Sequence, residues 1–525
     1  MNRTGDNLSN GPEGWVGVAL GDSLAADVQP GFACGVNNRD EIGTPHLRPM
    51  NVSTEGQIAY NEVKYVPTDR VDSDRKWLKS GDVLFNNTNS AELVGKTALY
   101  DDDEGVAFSN HMTRVRCTPA VLPKYCALAL HQKWREGYFL EHCNRHVSQA
   151  SIGQKVLKAT MIPLPPLAEQ ERIVAKAEAL LSRVRSVRQR LAAVPGILKH
   201  FRQAVLGHAC SGKLTEDWRE KQEDLLSATD EFEAAVQRRR KEYEAAKKRA
   251  KAEKKKAPKP AANLTPRTVE VAGLPEIPEP WAWVYLPDVG YMNRGKSRHR
   301  PRNAPHLYGG RYPFVQTGDI AQSGGRITEH RQTYSEAGLA QSRLWPANTV
   351  AITIAANIAN SAILTYDACF PDSVVGVIPD GDVALPEFIE FFMRTAKHDL
   401  ELYAPATAQK NINISILNEL AMPLPPLAEQ HEIVRRVEAL FALADSIEQR
   451  VQRTTEQAGA LTQRILARAF RGELVPTEAD LARAEGRDYE SAEQLLVRIR
   501  QTMTDEQTRR RGARRKRRYA ANSNK

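Results

Sequence analysis

The chain has 525 residues, 41% of them hydrophobic, which is enough for about three or four domains with buried cores. It contains no run of about 18 apolar residues and no apolar stretch at its N-terminus, so we expect neither a membrane span nor a secretory signal. Six scattered cysteines without a Cys-x-x-Cys pair are typical of a cytoplasmic protein with free thiols.

The net charge of +9 is concentrated in two short segments. Residues 238–259 carry +9 and residues 509–525 carry another +9, which leaves −9 for the rest of the chain. The high pI therefore does not by itself indicate that the folded domains bind nucleic acid. The two basic segments are either a solvated linker and tail or non-specific contacts to phosphates.

The first patterned segment is GPEGWVGVALGD, Gly11–Asp22, which contains Trp15. A variable region follows it. There GDVLFNN, KTALY and MTRVRC have the composition of strands, and KYCALALHQKW has the pattern of a helix. The mixture predicts a domain of mixed α and β structure.

The variable region ends at PLPPLAEQ, Pro163–Gln170. Pro165 and Pro166 cannot continue a strand, but Pro166 can occupy the first position of a helix, where its missing N–H costs nothing. Glu169 then lies in the first helical turn, where a negative charge is favourable. The motif predicts a switch from a strand to a long helix.

After the motif, apolar residues recur at alternating spacings of four and three over more than four heptads, which predicts a coiled-coil seam. We expect a kink or short break at Pro195 and the end of the helix at Gly212. The alternative is an ordinary amphipathic helix that packs on a domain. The main seam positions predicted in this helix and its later counterpart are Ile173, Leu180, Val184, Leu191, Ile433, Leu440, Ile447 and Leu461.

A charged segment, residues 216–256, is expected to be helical, and the linker APKPAANLTP follows it. The whole pattern then recurs. IPEPWAWVYLPD places Trp281 opposite Trp15, and PLPPLAEQ returns at Pro423–Gln430, 260 positions after the first copy. Between them, RYPFVQTGDI, NTVAITIA and SAILTY predict strands and PEFIEFFMRTA a helix, while Gly472 marks the end of the second long helix.

This duplication predicts an α+β fold with a pseudo-two-fold internal repeat. Two α/β domains are expected to be separated and joined by two long antiparallel coiled-coil helices. The predicted segments are 1–161 for the first domain, 162–214 for a central helical spacer region, 215–275 for a charged helical linker, 276–421 for the second domain, 422–475 for a distal helical spacer region and 476–525 for a C-terminal extension with a basic tail.

Catalytic and metal-binding motifs are incomplete. Gly95-Lys96-Thr97 resembles the end of a P-loop, but Ser90 stands where that motif requires its first glycine. His142 and His146 have the spacing of metal ligands on a helix, but no further ligand set follows them, so ordinary surface or core residues are favoured. We therefore expect no catalytic residue and no metal site.

The duplicated PLPPLAEQ-x₂-IV motifs, the Trp-containing segments and the GKL and GEL helix ends resemble the specificity subunit of type I restriction–modification systems. The resemblance implies that each variable region is a target-recognition domain that reads one half of a bipartite double-stranded DNA site. It also implies that the helical pair sets the unread spacer and docks two modification (methyltransferase) subunits.

The same resemblance assigns the chemistry to the partners. The modification subunits would carry S-adenosylmethionine and methylate adenine, and restriction subunits would be ATP/Mg-driven translocases and nucleases. The chain itself would bind no cofactor and would be a non-catalytic recognition subunit. Two alternatives remain: a fused enzyme, which lacks any motif here, and a coiled-coil adaptor or scaffold without sequence-specific DNA binding.

Adenine edges are best bound by Asn or Gln and guanine edges by Arg or Lys, while many protein contacts go to phosphates instead. The candidates in the first domain are Asn37, Asn38, Arg39, His46, Arg48, Asn86, Asn87, Asn89, Gln149, Gln154 and Lys155. The candidates in the second domain are Arg294, Lys296, Arg298, Arg300, Arg302, Arg311, Gln316, Asn357, Gln409, Lys410 and Asn411. SQASIGQK and TAQKNIN are the favoured loops, because they precede the two Pro-Pro motifs in matching places.

Overall fold

The computed structural model describes residues 11–102, 105–147, 149–257, 264–299, 301–354, 359–397 and 414–505. Its strands are β1 Val16–Ala19, β2 Ala25–Pro30, β3 Thr44–Leu47, β4 Lys64–Val66, β5 Asp82–Asn86, β6 Thr88–Asn89, β7 Thr97–Tyr100, β8 Ala107–Phe108, β9 Met112–Cys117, β10 Asn144–Arg145, β11 Ala150–Ser151, β12 Met161–Leu164, β13 Ala282–Tyr285, β14 Gly290–Arg294, β15 Tyr308–Phe314, β16 Arg326–Ile327, β17 Gln332–Tyr334, β18 Leu344–Trp345, β19 Val350–Thr353, β20 Ser361–Leu364, β21 Ala368–Cys369, β22 Val374–Pro379 and β23 Ala421–Leu424.

The helices are fewer, and two of them are much longer than the others. They are α1 Pro123–Arg135, α2 Tyr138–Glu141, α3 Gln154–Ala159, α4 Leu167–Cys210, α5 Glu216–Arg219, α6 Ala228–Ala252, α7 Thr317–Gln322, α8 Glu336–Ala340, α9 Pro386–Ala396, α10 Ile414–Asn418, α11 Leu427–Phe470, α12 Glu478–Glu485 and α13, residues 492–505.

The chain forms two units, and each combines distant parts of the sequence. One unit consists of residues 1–192 and 452–525, and the other of residues 193–451. In each unit a β-rich region, called here a head, packs against parts of both long helices. The heads are residues 16–164 and 282–424, from the first strand of each to the last.

The two heads share the order of their central strands. The first head contains an antiparallel sheet in the order β2-β9-β5-β7, and the second contains β14-β22-β19-β20 with β16 added at one edge. The helix α1 or α9 packs against the matching strand β7 or β20. The repeat read from the sequence motifs is therefore also a repeat of topology, which confirms the predicted fold class.

Each head is closed by a two-stranded ladder between its first and last strands. β1 pairs with β12, so Val16 lies opposite Leu164, and β13 pairs with β23, so Ala282 lies opposite Leu424. Both ladders stop before the Pro-Pro pair, as predicted. Each long helix begins one residue later than predicted, because the second proline of the motif precedes the helix as its cap. The carbonyl of Pro166 accepts the amide of Gln170 in the first unit, and the carbonyl of Pro426 accepts the amide of Gln430 in the second.

The Glu-Gln pair of the first motif is fully buried and connects three parts of the first unit. The indole Nε1 of Trp15 donates to Glu169 Oε1 at 3.0 Å, and the amide of Glu478 donates to Glu169 Oε2 at 2.9 Å. Gln170 caps α1 from the side, since its Oε1 accepts the amide of Leu122 at 2.9 Å. Burial raises the pKa of Glu169. The hydrogen bonds from Glu478 and Trp15 lower this pKa and so offset part of the rise.

The second unit repeats this set of Trp–Glu–Gln contacts, called here the clamp, with its own residues. Trp281 Nε1 donates to Glu429 Oε2 at 2.8 Å, and Thr215 Oγ1 donates to Glu429 Oε1 at 2.7 Å. Gln430 Oε1 accepts the amide of Leu385, at the start of α9, at 2.9 Å. The eight-letter repeat is thus explained by a repeated three-dimensional joint between a strand, a head helix and a long helix.

In each unit, the long helices run antiparallel. In the first unit, Arg172 near the start of α4 pairs with Glu478, just beyond α11, at 2.7 Å. In the second unit, Arg202 late in α4 binds Asp445 of α11 at 2.6 Å, whereas Arg436, earlier in α11, binds Asp217 beyond the end of α4. The order of partners therefore reverses along the two helices.

The segment that follows each long helix returns to the head of its own unit. The amide of Ala228, at the start of α6, donates to Pro280 O at 2.8 Å, and Ala235 and Val236 lie in the core of the second unit. The amide of Ala492, at the start of α13, donates to Gly14 O at 3.0 Å. The charged segment and the C-terminal extension are therefore equivalent elements, a relationship that the sequence analysis did not predict.

Several local predictions are confirmed and three need correction. Gly212 and Gly472 follow the ends of α4 and α11 with φ values of 75° and 73°. However, α4 continues through Pro195 without a break, the charged segment is interrupted between α5 and α6, and RYPFVQTGDI is strand only up to Phe314 and then begins α7.

Burial varies along the predicted seam positions. Among the predicted seam residues, Ile173, Val184 and Ile433 are buried, and Leu180, Leu191 and Leu440 are half-buried. Ile447 is 36% exposed and Leu461 is 48% exposed, while Thr462 is only 3% exposed. An α-helix drifts by about 20° per heptad relative to a strict 3.5 repeat, so the buried position moves from Leu461 to its neighbour.

The clamp generates a stability prediction. Replacing Glu169 by Ala would leave two buried donors unpaired, so we expect the free energy of unfolding to fall by about 2–4 kcal/mol. Glu169→Gln retains an acceptor oxygen and should lose less. Urea unfolding followed by tryptophan fluorescence measures the change, with the exposed Glu171→Ala as the control. Equal stabilities of Glu169→Ala and Glu171→Ala would contradict the clamp.

Candidate nucleic-acid interface

A small polar sheet lies at the surface of the first head. It has the order β10-β11-β6, with Asn144 opposite Ser151 and Ser151 opposite Thr88. Because directly opposed residues point to the same face, these three side chains form one polar row. Arg145, Ala150 and Asn89 form the row on the other face.

The strands β10 and β11 form a hairpin that projects from this sheet. The amide of His146 donates to Gln149 O at 2.8 Å, which closes the turn. Val147 is fully exposed, with a relative accessibility of 109%. In the described part of the chain, the side chains of Arg145 and Gln149 have no hydrogen-bond or ion-pair partner, so both remain available to a ligand.

Two predicted candidates next to this sheet belong to the framework instead. Asn86 is fully buried, and its amide donates to Pro49 O at 2.9 Å, so it cannot contact a base edge. Asn87 donates to Asn110 O at 3.1 Å and to Thr113 Oγ1 at 2.9 Å. These residues hold β6 in place, and Asn89 then follows on the sheet itself.

The favoured loop of the first head continues into α3. Gln154 and Lys155 are the first residues of α3 and are both exposed. The amide of Ile152 donates to Asn87 O at 2.8 Å, which places the start of α3 beside β6. The structure thus brings Asn89, Gln149, Gln154 and Lys155 to one region of the head.

A second group of candidates lies in the loop before β3. Asn38 closes this loop, since its amide nitrogen donates to Ile42 O at 2.9 Å and its Oδ1 accepts the amide of Asp40 at 3.0 Å. Asn37 donates to Gly35 O at 3.3 Å. Arg39 is exposed and has no side-chain partner within the described ranges. Only Arg39 of these three keeps its polar group free.

The candidate His46 is a core residue. It is 2% exposed on β3, and its ring lies 5.0 Å from that of Phe32 in an edge-to-face arrangement. Burial and the nearby charge of Arg48 lower the pKa of His46 to about 4. The predicted base contact by His46 is therefore wrong, because its ring is not accessible. Arg48 is half-buried at the end of the same strand.

In the second head, two predicted arginines converge on one residue, Asp372. Arg302 pairs with Asp372 Oδ2 at 2.9 Å, and the guanidinium of Arg294 donates to the backbone carbonyl of Asp372 at 2.6 and 2.9 Å. Lys296 and Arg298 are exposed beside them, and Gln341 Oε1 accepts the amide of Arg298. These contacts hold the basic run NRGKSR against the sheet.

Two other candidates of the second head have local polar partners. Arg311 pairs with Glu336 at 3.0 Å and stacks over the ring of Tyr312. Gln316 donates to Gln332 Oε1 at 2.6 Å. Both side chains remain exposed, so neither contact prevents an approach by DNA.

An arginine–aromatic cluster in this head was not predicted, and it consists of the half-buried Arg343, the exposed Tyr291 and the fully buried Trp345. Arg343 donates to Tyr291 Oη at 2.7 Å, and its guanidinium lies 4.2 Å from the ring centroid of Trp345. Burial acts to raise the pKa of Tyr291, but hydrogen bonds from Arg343 and Asn293 lower it overall. Trp345, two positions after Arg343, was the available signal in the sequence, because Arg stacks on aromatic faces.

Some candidates lie outside the described residues, namely Arg300, Asn357, Gln409, Lys410 and Asn411. The loop TAQKNIN falls entirely in that group. Lys96 of the P-loop-like run is buried and bonded to Val52 O, so it is unable to cradle a phosphate. Among the described residues, no group of three or more His, Cys, Asp or Glu could hold a metal ion, and no helix has the length and apolarity to cross a membrane.

Comparison with known families agrees with this architecture. The family model described as the type I restriction modification DNA specificity domain matches residues 35–195 and 278–456. The chain belongs to this family. The two matches fall on the two halves of the repeat, so this protein carries a pair of specificity domains and has the role of a DNA specificity subunit.

Curated specificity subunits match most of the chain. The EcoKI specificity subunit of Escherichia coli strain K12 is 28% identical over 88% of this chain and 90% of its own length. The EcoBI specificity subunit of Escherichia coli is 28% identical over 75% of this chain and 78% of its own. The EcoDI specificity subunit is 32% identical over 60% of this chain and 62% of its own.

Solved structures share the fold at lower identity. A chain of a type I R-M system has a TM-score of 0.61 at 21% identity and covers 88% of this chain and 99% of its own. The HsdS subunit from Thermoanaerobacter tengcongensis has a TM-score of 0.51 at 20% identity, covering 88% and 98%. At these identities the likeness supports the fold of the specificity subunit and does not identify individual DNA contacts.

The buried His46 generates a pH prediction. Its folded-state pKa of about 4 lies below its ordinary value of 6.5, so the unfolded chain binds more protons in this window and stability is lost as the pH falls from 6.5 to 4. In His46→Phe, the free energy of unfolding should fall by about 2–3 kcal/mol less than in the wild type over this pH range. Urea unfolding at pH 7 and at pH 4.5 measures the difference, and parallel pH profiles would contradict it.

Proposed function

We propose that this specificity subunit directs a type I restriction–modification complex to a bipartite double-stranded DNA site, with each head reading one half. The observation that carries the proposal is the duplicated head, closed in both units by the same Trp–Glu–Gln clamp. Two related reading modules on one chain are what a split recognition sequence requires. A coiled-coil adaptor needs no such pair.

The division of labour follows from the family and from the chemistry of the chain. We propose that the chain is non-catalytic, binds no cofactor and acts in the cytoplasm. Two modification subunits would supply methylation of adenine with S-adenosylmethionine, and restriction subunits would supply ATP/Mg-driven translocation and cleavage.

The hairpin β10–β11 is the proposed reading element of the first head. The major groove of B-DNA admits a two-stranded β-ribbon, in which Arg reads guanine, Asn or Gln reads adenine, and an apolar side chain meets the methyl group of thymine. Arg145, Gln149 and the fully exposed Val147 supply these three chemistries within one turn. Asn89, Gln154 and Lys155 lie beside the hairpin and are proposed to extend the contact.

The second head is proposed to read its half-site differently. Its basic run and the cluster of Arg343 with Tyr291 combine positive charge with aromatic faces. Arg294 and Arg302 are held by Asp372, so their geometry is fixed before DNA arrives. A preformed set of donors lowers the entropy cost of binding.

The long helices are proposed to set the spacing between half-sites and to dock the modification subunits. A helix of 44 residues is about 66 Å long at a rise of about 1.5 Å per residue, compared with about 34 Å per turn of B-DNA. A change in the length of both helices should therefore alter the unread spacer and leave the bases read unchanged.

The hairpin assignment is tested by substitution in the assembled complex. Arg145→Ala should remove about 1–3 kcal/mol of discrimination at one base pair, so methylation becomes degenerate at that position of one half-site. Methylome sequencing of a host that carries this chain and its modification subunits measures the change. Arg75→Ala, an exposed charge loss in the loop before β5, is the control and should leave the recognised sequence intact.

Exchanging a whole head tests modularity. Replacement of residues 16–160 by the matching head of another family member should change one half of the methylated site and preserve the other. The reason is that each head has its own core and its own clamp. Loss of both halves at once would contradict the modular proposal, and a wild-type complex without any sequence preference would favour the adaptor alternative.

A further inference from the structure

The second unit contains a cavity between its head and the C-terminal part of α4. Its volume is about 320 Å³, and it is lined by residues of α4, α7, β20 and α9. All of these residues belong to the same unit. None of the candidate base-contacting residues within the described ranges is among its lining residues.

The wall of this cavity is strongly cationic. Four of its lining residues are basic, namely Lys199, Arg202, Arg394 and Lys397. Lys199 and Lys397 are exposed, and Lys397 Nζ donates to Asn360 Oδ1 at 2.8 Å. In the described residues Lys199 has no ion-pair partner. The two lysines thus bring positive charge to the accessible part of the cavity.

The acidic groups near the cavity offset its two arginines but not its two lysines. Glu390 is the one carboxyl group among the lining residues that the structure describes, is 2% exposed and pairs with Arg394 at 3.8 Å. Burial raises the pKa of Glu390 to about 8, although Arg394 acts in the opposite direction. Arg202 is offset by Asp445 and Glu448 of α11, outside the lining.

The first unit provides an internal comparison, because the repeat places the same joint there with uncharged residues at the positions that match Lys199, Arg202 and Arg394. At the matching offset of 260, Lys199 and Arg202 correspond to Gly459 and Thr462 of α11. On the head helix, Arg394 corresponds to His131, which is 4% exposed. Burial and the charge of Arg135 lower the pKa of His131 to about 3, which leaves it neutral.

The cavity at the joint of the first unit also differs in size and charge. It holds about 20 Å³, and its basic lining residues Lys124 and Arg185 both pair with Glu178, another lining residue, at 3.1 and 3.5 Å. The packing of a head against a long helix therefore does not require four cations. Their concentration in the second unit is better explained by a negatively charged ligand.

We propose that the cavity lined by Lys199, Arg202, Arg394 and Lys397 binds a phosphate group of the DNA backbone. This inference rests on the proposed function, since it assigns the DNA phosphate as the ligand of a site in the specificity subunit. Phosphate contacts position a protein on the duplex and carry no sequence information. The site would therefore anchor the complex next to the half-site of the second head without contributing to the choice of bases.

The test measures the salt dependence of DNA binding by the complex of this chain with its modification subunits. In Lys199→Gln/Lys397→Gln, the slope of log K against log salt should fall by about 1 for each lost phosphate contact. Affinity should fall by the same factor for specific and non-specific duplexes, and the methylated sequence should stay unchanged. The control, Lys213→Gln/Lys221→Gln between α4 and α6, removes the same charge from exposed positions of the same unit and should retain the wild-type slope.

The outcomes separate the two proposals. A double variant with the wild-type slope overturns the cavity assignment, while sequence-specific methylation by the wild type keeps the proposed function. A wild-type complex that lacks sequence preference overturns the proposed function. A second arm uses inorganic phosphate without DNA: protection of Lys199 from acylation by phosphate alone, with an unchanged DNA slope in the variant, would overturn DNA as the source of the phosphate.

Discussion

A buried glutamate in the first turn of each long helix is the contact on which the rest of the fold depends. Glu169 and Glu429 accept the indole N–H of Trp15 and Trp281, and both carboxylates are fully buried. A buried carboxylate is stable only when its oxygens are satisfied, so the helix start, the first strand and the returning segment must meet at one point. This requirement fixes the orientation of each head on its long helix, independently of the DNA sequence that the head recognises.

The duplicated framework leaves the heads free to differ. Framework polar groups are satisfied internally, as shown by Gln170 and Gln430, which both cap a head helix through a side-chain carbonyl. The proposed reading groups have the opposite character, because a side chain that bonds to DNA must keep polar capacity unused in the free protein. The first head offers an exposed hairpin, while the second offers arginines and aromatic rings. The same contrast separates the cationic cavity of the second unit from its neutral counterpart in the first.

Candidate residues were harder to predict than elements. Asn86 and Gln149 are both amide residues of the same head, yet Asn86, at the end of β5, is fully buried and Gln149 is exposed. His46 was predicted to contact DNA on the same grounds, yet it lies in the core. Composition and spacing identify residue types that can bind DNA bases. Whether such a residue is accessible depends on how the strands pack against one another, and the local sequence does not determine that packing. The cluster around Arg343 was missed because Tyr291, one of its two aromatic partners, is 52 positions away.

The sequence by itself determined the repeat, the change from strand to helix at Pro-Pro, the long helices and their glycine ends. These features follow from local backbone restrictions of proline and glycine and from the periodicity of apolar residues, so they need no knowledge of distant partners. Tertiary structure alone decided that α13 returns to the first head, that Glu169 meets the amide of Glu478 309 positions later, and that four basic residues surround one cavity. Each of these depends on contacts between residues far apart in the chain, whose proximity arises only when the units fold.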